Sequence, residues 1–234
     1  MSDLYNTYYK KYPITKPAYA VARIGGSRIR DKASKLFSGR LIDIGCGLKT
    51  KEQLVGDFVD EYVGLDHVEC QYNQSNIDLF GTAYNIPSEN ETFDCALCTA
   101  VLEHLEEPKK ALKETYRVLK SGGCAIYTVP LFWHLHEEPR DFFRYTKNGL
   151  KYLFEAAGFE IIEITALSGF LVTFGTELGY YLQRFKRGPF RHLINGIVIF
   201  SNWFFPILDR GFLRDEKFTW MYLVVALKPA KSKK

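Results

Sequence analysis

A short apolar segment that runs directly into a glycine-rich turn constrains the fold of this chain more than any other feature. Residues 41–44 (LIDI) are followed at once by Gly45, Cys46 and Gly47. Glycine permits a tight turn and lets a ligand approach the backbone closely. An apolar strand that ends in such a turn is typical of the first strand–helix connection in α/β domains that bind nucleotide-like ligands. The sequence therefore predicts an α/β domain with a ligand site at this turn.

Short apolar runs alternate with helical patterns along the middle of the chain, which predicts a mostly parallel sheet with helices on both faces. Thr146 is the predicted N-cap of one helix, and Gly158 is predicted to end it. Residues 121–123 (SGG) are predicted to end another helix. The predicted strands are residues 41–44, 62–65, 93–98, 124–129, 159–164 and 221–227, and the predicted helices are residues 19–37, 108–120 and 146–157.

Composition excludes several classes of protein. The 234 residues are 47% hydrophobic and 25% charged, as in an ordinary globular domain, and the net charge of +4 is too small to indicate a nucleic-acid partner. The five cysteines are odd in number and lie mostly in apolar runs, so they do not predict a disulfide framework. Cys95 and Cys98 have the spacing of a metal-binding pair, but no second pair follows. We interpret both as core residues on opposite faces of a strand and predict no metal site.

The side chains around the glycine turn favour one kind of ligand. Asp66, at the end of the next predicted strand, can accept hydrogen bonds from a ribose diol. The dinucleotide fingerprint requires a third glycine where this chain has Thr50, and the carboxylate of Asp43 would repel a pyrophosphate. The same carboxylate would attract a ligand that carries an ammonium group. A loop that needs glycine only in order to turn is the alternative at this point.

Several segments taken together resemble the class I S-adenosylmethionine-dependent methyltransferases, and in particular their type 11 group. Residues 43–47 (DIGCG) resemble the first motif of that family, and residues 63–66 (VGLD) resemble the second. The other matching segments follow in the family's order and spacing: Ile86-Pro87, Phe93-Asp94, residues 101–105 (VLEHL) and residues 114–123 (ETYRVLKSGG). The resemblance covers about residues 38–165, with the strand at 221–227 added.

This resemblance implies an α/β fold of the Rossmann-like class I type. Its sheet has seven strands and is mostly parallel, with an antiparallel last strand and a helical insertion before that strand. The implied division of the chain is an N-terminal helical cap at residues 1–38, which would cover the cofactor cleft, and a methyltransferase domain at residues 39–234. The insertion lies at residues 167–217 of that domain.

The resemblance also implies S-adenosylmethionine as the cofactor. Asp43 would lie near its ammonium group, the glycine turn would contact its methionine part, and Asp66 would hold its ribose hydroxyls. The remaining residues would surround the adenine or line the cleft near the methionine end. The full predicted set is Asp43, Gly45, Cys46, Gly47, Asp66, His67, Thr82, Ala83, Tyr84, Thr99, Ala100 and Val101.

Thr82 departs from the family pattern. The family often has an acidic residue at this position, which bonds the adenine amino group. A hydroxyl group makes a weaker hydrogen bond than a carboxylate, because the carboxylate bond is assisted by charge. We therefore expect a change in cofactor affinity at this position and no change in the identity of the cofactor.

Residues 130–146, which follow the strand at 124–129, are the predicted acceptor loop. They combine two histidines, several carboxylates and two arginines with aromatic residues. His134 or His136 is the predicted catalytic base, because histidine titrates near neutral pH. The predicted acceptor-binding residues are Arg140, Arg144 and Tyr145. The alternative is a loop network that caps the following helix. His104 is a weaker candidate for the base, because a histidine in a Leu-Glu-His segment more often positions the start of a helix.

The insertion contains an aromatic-rich run at residues 193–208 with basic residues on both sides. The run is too short and too interrupted to span a bilayer. Three interpretations stay open: a buried lid over the acceptor site, a surface for a homo-oligomer, or a helix that lies on a membrane with Trp203 and Phe204 inserted. The third interpretation would suit a lipid-linked acceptor.

The sequence therefore predicts a methyltransferase that acts on a small molecule or on a glycan or lipid-linked precursor. No secretory signal pattern is present, so a cytoplasmic location is expected, with contact to the inner face of a membrane as an alternative. Two other classes of function stay open: a non-catalytic S-adenosylmethionine-binding module or partner subunit, and a nicotinamide-dependent enzyme. The sequence does not predict which acceptor atom is methylated.

Overall fold

The strands of the computed structural model, which describes residues 3–69 and 74–231, form one sheet in the order β3-β2-β1-β4-β5-β7-β6. Neighbouring strands from β3 to β5 are parallel, and β7 is antiparallel to both of its neighbours. The predicted seven-stranded sheet with an antiparallel last strand is confirmed. The strands are β1 (Arg40–Ile44), β2 (Glu61–Asp66), β3 (Leu79–Phe80), β4 (Phe93–Thr99), β5 (Leu119–Pro130), β6 (Glu160–Ala166) and β7 (Met221–Leu227).

Seven α-helices connect or flank these strands in the described residues. The predicted helix at 19–37 is confirmed as α2, and the predicted helical insertion forms α6 and α7. The helices are α1 (Asp3–Lys10), α2 (Tyr19–Leu36), α3 (Glu52–Val55), α4 (Pro108–Val118), α5 (Lys147–Ala156), α6 (Phe170–Gln183) and α7 (Phe190–Leu208).

The ends of α4 and α5 show where local signals decide the structure and where they do not. Thr146 caps α5 as predicted, because its hydroxyl accepts a hydrogen bond from the Gly149 N–H at 3.1 Å. Gly158, with φ of +103°, follows the end of α5 as predicted. The prediction for α4 is wrong at its end. Leu119 already pairs with Phe93 in the sheet, so β5 begins before residues 121–123 and not after them.

The sheet has an apolar core on each face. The first core is covered by α4 and α5. The second core is covered by α1, α2 and α6. Cys98 lies in the first core and Cys95 in the second, which confirms that the two thiols face opposite sides of β4. Cys70 lies outside the described residues. Because Ile29 and Ala33 of α2 belong to the second core, α2 packs on the sheet as a core helix, and the division at residue 38 stays a prediction.

The insertion is half-buried. Helix α7 packs against α6 and α2; its Ile194 and Val198 are buried, whereas Phe200 and Trp203 are exposed. Its Asn202 ties the chain start to the insertion, since the amide donates to the carbonyl oxygens of Ile14 and Lys16 at 2.9 and 2.8 Å. None of the described helices is long and apolar enough to cross a bilayer.

Candidate functional site

The glycine turn after β1 is held between β2 and the segment that follows β4. The N–H groups of Gly45 and Cys46 donate to the Leu65 carbonyl oxygen at 2.9 and 3.1 Å. Gly45 has φ of +73°, and a Cβ atom there would lie 2.5 Å from a methyl carbon of Val101. Both observations require glycine, because other residues are strained at this φ and would collide with Val101. The turn therefore keeps its backbone bare and close to the ends of β2 and β4.

Asp43 lies beneath this turn at the end of β1 and is almost completely buried, with 1% of its surface exposed. The hydroxyl of Tyr62 donates to Oδ2 of Asp43, while Oδ1 has no hydrogen-bond partner among the described residues. Burial raises the pKa of the Asp43 carboxyl to about 6, against a partial lowering by the Tyr62 hydrogen bond and by Lys51. An unpaired buried oxygen of this kind indicates a missing partner that carries a donor or a positive charge.

Asp66 lies at the end of β2, next to β1 in the sheet. Its Oδ2 accepts a hydrogen bond from the Gly47 N–H at 2.8 Å, and its Oδ1 accepts one from the His67 N–H at 2.8 Å. A carboxylate oxygen has two acceptor sites, so each oxygen keeps one for a ligand. These two backbone bonds fix the orientation of the carboxylate beside the turn.

The predicted adenine-side residues form a tight turn between β3 and β4. Thr82 and Asn85 face each other through paired backbone hydrogen bonds of 3.4 and 3.0 Å. The Tyr84 hydroxyl accepts a hydrogen bond from the Glu107 N–H at 3.2 Å, which directs this side chain towards the start of α4. Ala83 is partly buried and packs against the core on the face of the sheet that α4 and α5 cover.

Thr99, Ala100 and Val101 follow at the end of β4. Ala100 has φ of +53°, a conformation that is uncommon outside glycine, and its N–H donates to the Thr128 carbonyl oxygen at 2.9 Å. Backbone strain of this kind tends to lie at functional sites. Because Val101 contacts Gly45, the structure brings this predicted segment against the glycine turn.

In the acceptor loop, His134 is paired with a carboxylate of α6. Its Nδ1 lies 3.0 Å from Oε2 of Glu177, and its ring lies against the rings of Trp133 and Tyr180 at centroid distances of 4.8 and 4.5 Å. When Nδ1 donates to Glu177, Nε2 carries the lone pair and can accept a proton. The pairing therefore gives His134 the orientation that a general base needs.

The predicted base His136 is held differently. Its Nδ1 lies 3.3 Å from the carbonyl oxygen of His134, and its N–H donates to Asp141 Oδ2 at 3.0 Å. Burial lowers the pKa of His136, and the nearby His104 lowers it further. The ring of His136 meets the ring of His104 edge-on at 4.8 Å.

Arg144 stabilises the acceptor loop from within. Its five N–H donors are used in bonds to the carboxylate of Asp141 and to the carbonyl oxygens of Trp133, His134 and Phe143. The bonds from Arg144 hold the pKa of the Asp141 carboxyl well below its usual range. This arrangement matches the loop network that was the alternative interpretation of the sequence. The guanidinium keeps no further N–H donor for a substrate that would accept the methyl group. The acceptor-binding role of Arg144 stays a prediction.

The other two predicted acceptor residues differ in burial. Tyr145 is buried, and its hydroxyl donates to the Leu102 carbonyl oxygen at 3.0 Å, so it packs as a core residue. Arg140 is exposed and pairs with Glu69 at 3.0 Å, which joins the acceptor loop to the segment after β2. Of the predicted acceptor residues, Arg140 is the one whose charge faces solvent.

Part of the sequence is similar to a known protein family and to curated members of it. Residues 42–127 match the family model of the type 11 methyltransferase domain. The chain is 32% identical over 120 residues to a ubiquinone biosynthesis O-methyltransferase of Ruegeria sp. (strain TM1040), covering 46% of this chain and 49% of that protein. It is 28% identical over 116 residues to a demethylmenaquinone methyltransferase of Paenarthrobacter aurescens, covering 42% and 44%. The matches thus span about half the length of these relatives.

Three solved structures share the fold. The [4+2]-cyclase SpnF has a TM-score of 0.56 and 21% identity, covering 87% of this chain and 81% of that one. A phosphoethanolamine N-methyltransferase of Haemonchus contortus, solved with phosphomonomethylethanolamine and S-adenosylhomocysteine, has a TM-score of 0.57 and 16% identity, covering 88% and 53%. A SAM-dependent methyltransferase of Aquifex aeolicus has a TM-score of 0.52 and 14% identity, covering 87% and 89%. At these identities the likeness shows the fold alone.

Residues 42–127 are therefore similar to a class I methyltransferase domain of the type 11 group. The cofactor that this assignment indicates is S-adenosylmethionine, and the structure fits it at two points. Asp43 Oδ1 is a buried acceptor without a partner among the described residues, and each carboxylate oxygen of Asp66 accepts one backbone hydrogen bond and keeps a further acceptor site beside the turn. The family match ends at Tyr127, so it contains every predicted cofactor residue and stops before the acceptor loop.

Two residues of the candidate site were not predicted from the sequence. Tyr62 bonds Asp43, and Glu177 bonds His134. Tyr62 lies in the predicted second strand, but its contact depends on which strands are neighbours. Glu177 lies on α6, far along the chain from His134, and no local pattern marks it. Both contacts are set by the tertiary fold.

Proposed function

We propose that the protein binds S-adenosylmethionine at the glycine turn and transfers its methyl group to a small-molecule acceptor. The observation that carries the proposal is the pair of carboxylates at the ends of β1 and β2. Asp43 offers an unpaired buried oxygen beneath the turn, and Asp66 is fixed beside it by the Gly47 N–H. A ligand with an ammonium group at one end and a ribose diol at the other would satisfy both.

Each predicted cofactor contact then has a physical basis. The ammonium group would pair with Asp43, the ribose hydroxyls would donate to Asp66, and the bare turn at Gly45 would admit the methionine part. Thr82, Ala83 and Tyr84 would surround the adenine. S-adenosylmethionine supplies a methyl group on a positively charged sulfur, so the protein mainly has to align the acceptor with that methyl and exclude water.

The acceptor half of the proposal rests on His134. An acceptor hydroxyl or ammonium has to lose a proton before or during methyl transfer, and a positioned histidine can take it. The bond between Nδ1 and Glu177 leaves Nε2 for this task and stabilises the imidazolium that results. Because α6 supplies Glu177, this part of the insertion would act as a wall of the acceptor site.

Calorimetry tests the cofactor half. We expect the purified protein to bind S-adenosylhomocysteine at one site per chain and to give no heat with NAD. Binding of NAD in preference would support the nicotinamide-dependent enzyme. Absence of S-adenosylhomocysteine binding to the folded protein would overturn the proposal.

Turnover tests the transfer half. The names of the relatives make quinone precursors with free hydroxyl or ring positions the first acceptors to assay with methyl-labelled S-adenosylmethionine. We expect label to appear in the acceptor and His134→Asn to lower kcat by roughly 10²–10⁴-fold, as loss of a general base does. One solved structure with this fold is a [4+2]-cyclase, so tight cofactor binding without label transfer to any acceptor would favour a function other than methyl transfer.

A lipid-linked acceptor is the finer part of the proposal. Phe200, Trp203 and Ile207 expose apolar surface on one side of α7. At the end of the same helix, a cavity of about 600 Å³ has four arginines in its lining, Arg23, Arg28, Arg210 and Arg214, together with Asp209 and several apolar residues. Aromatic side chains beside arginines suit the surface of an anionic membrane.

Sedimentation with vesicles tests this finer part. We expect the protein to sediment with vesicles that contain anionic phospholipid and to stay in the supernatant with neutral ones. Trp203→Ser should reduce sedimentation, whereas Tyr152→Ser, which changes an aromatic residue on α5 that is at least as exposed, should not. A wild-type protein that stays in the supernatant with anionic vesicles would exclude membrane contact.

A further inference from the structure

Three side chains from two separate segments meet between the end of β4 and the acceptor loop. Glu103 and His104 follow β4, and His136 belongs to the loop. One possible ligand atom from each of these residues lies within 4.8 Å of the other two. Two imidazoles and a carboxylate are the ligand types that zinc and related divalent ions prefer.

Glu103 is the first reason to regard this cluster as a site. Its surface is fully buried, and neither carboxylate oxygen has a hydrogen-bond partner among the described residues. Nε2 of His104 lies 3.9 Å from Oε1 of Glu103, which is too far for a hydrogen bond. A buried carboxylate without a partner is destabilising, and a bound cation would compensate its charge.

The orientation of the two histidines is the second reason. Nδ1 of His104 lies 2.6 Å from the carbonyl oxygen of Arg140, and Nδ1 of His136 lies 3.3 Å from that of His134. A carbonyl oxygen can only accept, so each Nδ1 carries the proton and each Nε2 keeps its lone pair. Histidines that bind metals are oriented in this way, by donation from the other ring nitrogen to a carbonyl or carboxylate.

We propose that Glu103, His104 and His136 bind a divalent transition-metal ion, with Zn²⁺ as the reference ion. Glu137 supplies a further oxygen nearby, since its Oε2 lies 3.8 Å from Nε2 of His104. Metal–ligand bonds of about 2.0–2.2 Å place ligand atoms roughly 3–4 Å apart, so binding would draw these side chains slightly closer together. The evidence for the metal site does not depend on the proposed methyl transfer.

The position of the cluster gives the ion a role in organising the site. Glu103 and His104 follow directly on the segment that contacts the glycine turn, while His136 stands two residues beyond His134. A bound ion would therefore fasten the acceptor loop to the end of β4, between the predicted cofactor residues and the predicted base. The sequence predicts no metal site because these ligands come from segments that meet only after folding.

Metal titration of the full chain is the first test. Protein freed of metal by a chelator and dialysed should bind one Zn²⁺ per chain in competition with a chromophoric chelator, and its thermal midpoint of unfolding should rise when Zn²⁺ is added. Co²⁺ in place of Zn²⁺ should give visible ligand-field bands without the charge-transfer band of a thiolate, which separates this site from the cysteines.

Two variants and a control locate the site. Glu103→Gln keeps the size of the side chain and removes its charge, so the metal-free variant should fold and be at least as stable as the wild type. It and His136→Gln should each weaken Zn²⁺ binding by at least tenfold. His192→Ala removes an exposed histidine of α7 and should leave Zn²⁺ affinity unchanged.

The proposal is overturned if the folded wild type binds no Zn²⁺ in this titration, or if both variants bind it as tightly as the wild type. A thiolate band in the Co²⁺ spectrum would also overturn it, because the ion would then lie at a cysteine. S-adenosylhomocysteine binding is measured on the same metal-free sample. The cofactor proposal and the metal proposal can each fail while the other holds, so this measurement shows which of the two is wrong.

Discussion

Replacement of Asp43 by asparagine separates the stability of the fold from the function of the site. Burial raises the pKa of the Asp43 carboxyl from 3.8 to about 6. A raised pKa means that the folded protein favours the neutral acid. As pH rises from the unfolded value through the folded one, ionisation of Asp43 therefore lowers the stability of the wild type. Asp43→Asn removes this ionisation and keeps an oxygen that can accept the hydrogen bond from Tyr62.

The size of the effect follows from the two pKa values. A difference of about two units corresponds to roughly 3 kcal/mol once both states are ionised. At about pH 5 only part of this destabilisation of the wild type is present. The free energy of unfolding of the variant, relative to that of the wild type, should therefore increase by about 1.4 kcal/mol between about pH 5 and about pH 7.5. Any fixed effect of the new amide group is the same at both pH values and cancels in this comparison.

Urea unfolding of both proteins at the two pH values measures this difference, and calorimetry measures the functional side. The variant should bind S-adenosylhomocysteine about 2 kcal/mol more weakly, or roughly 30-fold, because it loses a charge-assisted bond. Wild-type affinity should fall as pH drops below about 6, since Asp43 becomes protonated, and the affinity of the variant should not. A stability difference that does not change with pH, or the same pH dependence of binding in both proteins, would refute the reasoning.

Three further changes test the parts of the site and the fold. Gly45→Ala should lower the free energy of unfolding by about 1–3 kcal/mol, because φ is positive and the new Cβ would lie 2.5 Å from Val101, whereas Gly196→Ala on an exposed face of α7 should raise it by about 0.5–1 kcal/mol; urea unfolding compares the two, and equal effects would contradict the geometry. Thr146→Ala should destabilise the protein by about 1 kcal/mol through loss of the N-cap bond, and an unchanged midpoint would exclude a capping role. Asp66→Ala should weaken S-adenosylhomocysteine binding by about 1–3 kcal/mol in calorimetry, and unchanged binding would disprove its ribose contact.

The parts of the fold that could be predicted are those that depend on local signals. The apolar runs, the N-cap at Thr146 and the glycine turn act over a few residues, and each has a counterpart in the structure. The end of α4 was predicted wrongly because Leu119 pairs with Phe93, and sheet pairing overrides a local glycine signal. The strand β3 was not predicted, since two residues carry no periodicity.

The candidate site divides in the same way. The predicted cofactor residues lie in short motifs at the ends of strands, so their sequence order predicts that they share one edge of the sheet. The acceptor half depends on contacts between distant segments, such as Glu177 with His134 and Glu103 with His136. The residue type of Arg144 does not predict which groups its side chain bonds. In the structure all its N–H donors are bound within the acceptor loop.

Hydrogen exchange with and without S-adenosylhomocysteine tests the central claim most directly, because it shows where the ligand binds as well as whether it binds. Saturating ligand should slow amide exchange in the turn after β1, at the end of β2 around Asp66, and in the segment after β4 around Ala100. Protection confined to other parts of the chain, or no protection under conditions where the protein is folded, would contradict the assignment of the glycine turn as the cofactor site.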